Sequence, residues 1–111
     1  KVFPQFQSWV NSVSDRFVDL LVPFRNFSFY HPDQAGSASI KNVLPALTDT
    51  SYSDLSINEG MAASLAFVEM AFDSETTNER KAEIRKDLLE YCALDTKAMV
   101  DIVDALRALV K

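Results

Sequence analysis

The stretch RFVDLLVPF, Arg16 to Phe24, decides the fold class of this chain. It is a compact apolar run closed by Pro23, and its length and content suit a buried β-strand. Asp19 interrupts the run. That carboxylate is either a strand-end acid that meets a partner or a sign that the segment is helical. We read a strand within Phe17–Val22, part of a small sheet. The expected fold class is therefore an α/β fragment, mainly α-helical with one or two short strands.

Helical signals flank this run on both sides. Phe3, Phe6, Trp9, Val10 and Val13 recur at helical spacing, with Pro4 tolerated in a first turn, and predict a short helix over Pro4–Ser14. After the run, RNFSFYHPDQAGSAS (Arg25–Ser39) is loop-like. His31, the only histidine, sits there between Tyr30 and Pro32, where a loop or packing role fits better than ligation. SIKNVLPAL predicts a short helix, capped by Ser39 and interrupted by Pro45. TDTSYSDLSIN is polar and turn-like. NEGMAASLAFVEMAF, Asn58 to Phe72, reads as a helix whose small residues permit close packing. DSETTNER links it to a last helical block over Glu79–Lys111, a single helix or a kinked pair from about Asn78 to Val110.

Composition narrows the possibilities. A chain of 111 residues that is 48% hydrophobic can build one domain with a core. With 16 acidic and 11 basic residues, its net charge of −5 argues against a free-standing nucleic-acid binder. It is compatible with a metal-dependent nuclease, in which a cation mediates between acids and phosphate. Cys92, the single cysteine, cannot form an internal disulfide; its position on the apolar stripe suggests a small buried hydrophobe, with a lean to a cytoplasmic compartment. No apolar run is long enough for a membrane span. No second His or Cys stands at zinc-ligand spacing, and there is no glycine-rich phosphate loop or nucleophile elbow. The opening at Lys1 has neither an initiating Met nor a leader pattern, so the expectation is a piece of a longer protein.

One residue breaks the pattern of the last helix. In LLEYCALDTKAMVDIV, Leu88 to Val103, steps of three or four from Ile84 pass through Leu88, Tyr91 or Cys92, Asp95, Met99, Ile102 and Leu106. Every member is apolar or aromatic except Asp95. An ionised carboxylate on a buried stripe needs a cation, a metal or hydrogen-bond donors. Tyr91, one turn earlier, shares its face. Three roles stand open: an N-cap dividing two helices, a structural ion pair, or a metal or catalytic group.

The Tyr-x-x-x-Asp of YCALDT resembles the third motif of the DEDD-type 3′–5′ exonucleases, in the branch with tyrosine. Together with FYHPDQAGSASIKNVLPAL and SYSDLSINEGMAAS, in this order, the chain from about Phe17 to Arg107 is similar to the C-terminal half of an uncharacterised bacterial family. Its members are domains of unknown function with a predicted DEDD-type, ribonuclease H-like fold. The resemblance implies the C-terminal portion of a ribonuclease H-like domain that hydrolyses DNA or RNA with Mg2+ or Mn2+ in the complete protein. Asp95 would be the fourth carboxylate and a metal ligand, and Tyr91 would orient the attacking water. The chain departs from that pattern: no Asp-x-Glu lies in an apolar strand context, and Asp19 comes too late for the second acidic motif. The fragment alone is therefore expected to be inactive and to hold no metal. Lys41 could touch a phosphate in the complete protein, although a solvated lysine at a helix start fits it better. The competing function is a non-enzymatic helical interaction module or a degenerate nuclease fold.

Overall fold

The computed structural model describes residues 3–111; Lys1 and Val2, at the opening discussed above, lie outside them. A 3-10 turn at Pro4–Phe6 leads into α1 (Gln7–Ser14), followed by α2 (Leu21–Arg25), a 3-10 turn at Pro32–Gln34, α3 (Ile40–Leu47), α4 (Gly60–Phe72) and α5 (Asn78–Leu109). Among the described residues there is no β-strand.

The strand expected within Phe17–Val22 is thus overturned, and with it the α/β class and the ribonuclease H-like placement. Residues 16–20 form an irregular turn, and the rest of the run coils into α2. The physical reason is a lack of pairing partners. A strand must satisfy its backbone N–H and C=O groups on a neighbour, but Phe17 and Val18 are 81% and 78% exposed and no described segment lies beside them as a strand. Local bonds take over. The Leu21 N–H donates to Asp19 Oδ1 at 2.9 Å, and the Val22 N–H to the Asp19 carbonyl. Asp19 therefore starts a helix, the alternative its position had left open.

α5 is one uninterrupted helix because nothing in it stops helix propagation. It contains no Gly or Pro. The Thr77 hydroxyl accepts the Arg80 N–H at 3.2 Å as its cap, and the pairs Lys86–Glu90 and Lys97–Asp101 brace its surface. Its inward face carries Ile84, Leu88, Tyr91, Asp95, Ala98, Ile102 and Leu106. Ala98 and Ile102 are buried against Phe24, Val43, Leu44 and Tyr52, which form the core. Cys92, expected to be buried, is exposed. The stripe passes through Tyr91 and Ala98 instead of Cys92 and Met99, and that small rotation carries the thiol outward.

α3 buries Val43 and Leu44, and its Pro45 is accommodated without ending the helix. Ser39 occupies the N-cap position, but its hydroxyl makes no capping bond; its carbonyl accepts the Val43 N–H at 2.9 Å. The preceding loop is pinned by Gln34, the one buried polar residue among those described. Its Oε1 accepts the His31 N–H at 2.8 Å, and its Nε2 donates to the Ser37 carbonyl. His31 Nδ1 accepts the Asp33 N–H at 3.2 Å, so the histidine caps a turn.

α4 packs on α5, tied there by Arg80, which reaches Glu69 at 3.1 Å and Glu83 at 2.8 Å. It nevertheless buries none of its residues, and Met61, Leu65, Phe67, Val68 and Phe72 stay exposed. α1 likewise leaves Trp9 open, and Phe6 in the turn before it. The helices spread into a slab of 53 × 41 × 20 Å, with a radius of gyration of 17.7 Å. A compact domain of this length would have about 13 Å. Much apolar surface therefore stays outside the core.

Candidate functional site

The site is assembled from α5 and the segment before α4. Asp95 lies mid-helix, so it is not an N-cap: the helix runs through it, and Thr96 Oγ1 donates back to the Cys92 carbonyl at 3.1 Å. It is not an ion pair either. Among the described residues the salt bridges bypass it. The nearest lysine in sequence, Lys97, turns the other way to Asp101. Two of the three roles weighed for Asp95 are thereby removed.

What compensates the carboxylate is a phenol that the sequence reading missed. The Tyr52 hydroxyl donates to Asp95 Oδ1 at 2.7 Å across 43 positions of sequence. Tyr52 is only 4% exposed, its ring seated in the core beside Ala98 and Ile102. Its ring centroid stands 6.0 Å from that of Tyr91, with the planes tilted by 57°. Burial, and then the hydrogen bond to Asp95, push the Tyr52 hydroxyl well above the usual phenol range. Burial also raises Tyr91, followed by the charge of Asp95 and hydrogen bonding to it, with a smaller contribution from Glu59. Both phenols stay protonated donors at neutral pH.

The first turn of α4 closes the other side. A Cβ added at Gly60 would meet the Tyr91 hydroxyl at 3.8 Å, so the helix start lies in van der Waals reach of it. Glu59, just before Gly60, pairs with Lys41 of α3 at 3.9 Å. Lys41 is therefore engaged with a carboxylate. The structure thus gathers Tyr52, Glu59, Tyr91 and Asp95, while His31 and Asp19 serve local turns elsewhere. A signal for Tyr52 did exist: a lone aromatic in a serine-rich turn has to go somewhere apolar. Nothing in sequence spacing could name its partner.

Chemically, the cluster is a carboxylate with one donor on Oδ1, a second protonated phenol nearby, and a paired glutamate at the rim. A carboxylate oxygen suits a hard divalent cation. However, among the described residues no group of three or more His, Cys, Asp or Glu side chains could hold a metal ion. These residues do not fit the two-cation centre that the resemblance implied. A separate apolar cleft of about 460 Å³ lies between α2, α3 and α5, lined by Leu21, Phe24, Ile40, Val43, Met99 and Ile102, and does not include the pair.

Residues 1–39 match the family model for a Domain of unknown function (DUF2779). The likeness to an uncharacterised family is therefore carried by the N-terminal third, which includes α1, α2 and the His31 turn. Tyr91 and Asp95 lie beyond the matched residues. No curated protein and no solved structure matches the chain. No helix among the described residues is long and apolar enough to cross a membrane.

Proposed function

We propose that this chain supplies the tyrosine–aspartate pair of a 3′–5′ exonuclease-like phosphodiesterase, a nuclease acting on DNA or RNA whose remaining acids come from beyond these 111 residues. One observation supports the reading best. Asp95 sits half-buried on the inward face of α5 with neither a capping duty nor a basic partner. Magnesium or manganese, held by Asp95 together with carboxylates from elsewhere, would supply the phosphate-directed electrophile of such chemistry. The part played by this chain's own groups is narrower. Asp95 presents a fixed carboxylate oxygen, and the Tyr91 hydroxyl, kept protonated by its surroundings, can donate to a water or a phosphate oxygen beside it.

The decisive experiment compares two proteins on a 3′-labelled single-stranded oligonucleotide with Mg2+ or Mn2+. The 111-residue chain should give no chelator-sensitive cleavage; the full-length gene product should cleave, and Asp95→Asn should abolish that cleavage. Full activity of the Asp95→Asn protein would remove the nuclease reading.

A second reading, a helical interaction module without catalysis, is favoured by α4, which exposes Met61, Leu65, Val68 and Phe72 along one face. Under that reading the full-length product would show no chelator-sensitive cleavage at all.

A further inference from the structure

We infer that the exposed face of α4 is a dimerisation surface, and that its partner is α4 of a second copy of this chain, lying antiparallel across a two-fold axis. The inference holds whether or not Tyr91 and Asp95 serve a nuclease, and its test reads association, not cleavage.

Met61, Leu65, Val68 and Phe72 are all exposed. They stand at steps of four, three and four, the alternation of a coiled-coil seam. The half-buried Ala63, Ala66 and Met70 stand on the other side of the helix, where α4 packs on α5. Two features point to a second copy as the occupant of the open seam. The first is register. In an antiparallel pair centred midway between Leu65 and Val68, Met61 meets Phe72 of the second copy and Leu65 meets its Val68, so all four residues are covered at once. The second is charge. At a net charge of −5, copies of this chain repel one another over most of their surface. The seam is the exception. Glu69 is the one charged residue within Gly60–Phe72, and Arg80 neutralises it at 3.1 Å. Glu59, just before the helix, is paired with Lys41. Asp73, just after it, falls level with Gly60 of the second copy, at a helix N-terminus that favours an acid. The two-fold lines one flank of the seam with Ser64 and Ala71 from both copies, which are small and uncharged and let the helices approach closely. A basic partner helix, by contrast, would find no unpaired carboxylate between Gly60 and Phe72.

The test uses the full-length gene product. Sedimentation equilibrium should show a reversible dimer; with so short a seam, its dissociation constant should be on the order of tens of micromolar. Leu65→Glu puts a charge at the centre of the seam, on an already exposed position. It should weaken the dimer at least about tenfold, with the circular dichroism unchanged. Disulfide trapping in a Cys92→Ser background reads the register separately. A mixture of Met61→Cys and Phe72→Cys proteins should give the cross-linked dimer. Neither protein should cross-link alone, because equivalent positions then stand about 17 Å apart along the paired helices, beyond the ~7 Å between Cα atoms that a disulfide can span. Cross-linking of the Met61→Cys protein with itself overturns the antiparallel pairing. A product that stays monomeric well above this concentration range overturns the inference, and resistance of Met61 to peroxide in that monomer would show that the rest of the same protein covers the face. A dimer indifferent to Leu65→Glu, or one without the mixed cross-link, has its contact elsewhere and overturns it too. If Leu65→Glu does not fold, the cross-linking result decides.

Discussion

Replacing Tyr52 with Phe should cost this chain a measurable and bounded amount of stability. The ring stays in place, 4% exposed in the core, so no cavity opens and the apolar contacts survive. What disappears is one hydrogen bond of 2.7 Å to a carboxylate. Bonds to charged groups contribute about 1.5–3 kcal/mol net. Asp95 is only half-buried, so water can replace the lost donor, and the lower end applies: about 1.5 kcal/mol. For a domain of this size that is a fall in Tm of roughly 6 °C. Urea unfolding followed by circular dichroism at pH 7 gives the number. A loss below about 0.5 kcal/mol would show that the bond adds nothing beyond ring packing; a loss above about 3 would show that the ring itself had moved. Asp95→Asn keeps an acceptor for Tyr52 and should lose only the charge-assisted part, about 0.5 kcal/mol. The double mutant should then fall short of additivity, since both changes act on one bond. The same bond has an alkaline signature. The folded-state pKa of Tyr52 lies above its ordinary value of 10.0, so above pH 10 the unfolded chain loses this proton first and stability declines with rising pH. The contribution is fully present below pH 10, and Tyr52→Phe should show a shallower decline above it.

Three further outcomes follow from the packing. Leu44 is fully buried between α3 and α5, and Leu44→Ala should cost about 2–5 kcal/mol by denaturant titration; a cost under 1 would mean the core is not centred there. Phe17→Ser should change stability by no more than about 0.5 kcal/mol, because the side chain lies in solvent; a loss of several times that would revive a buried strand. Arg80→Met removes the link from α5 to Glu69 of α4, and should speed amide exchange through Gly60–Phe72 while sparing α3; equal exchange in both helices would show that apolar contacts alone hold α4 down.

The sequence by itself determined the helices wherever local rules sufficed. The spacing of Ile40, Val43, Leu44 and Leu47, the small-residue start of α4, and a Gly-free and Pro-free run after Thr77 place α3, α4 and α5 to within a residue or two. Periodicity also singled out Asp95 as a misplaced acid beside Tyr91. Tertiary structure alone decided the rest. RFVDLLVPF has the content of a strand, but strand formation depends on a neighbour elsewhere in the chain, and without one Asp19 and the backbone close a helical turn. Cys92 and Met99, expected on the stripe, face outward and Ala98 is buried instead, because a stripe read from spacing leaves about one residue of rotational freedom, which only packing against Tyr52 and Leu44 removes. The answer to Asp95 came from position 52, through a hydrogen bond spanning 43 residues. Contacts of that range follow from how α3, α5 and the intervening turn pack together, and no local pattern encodes them.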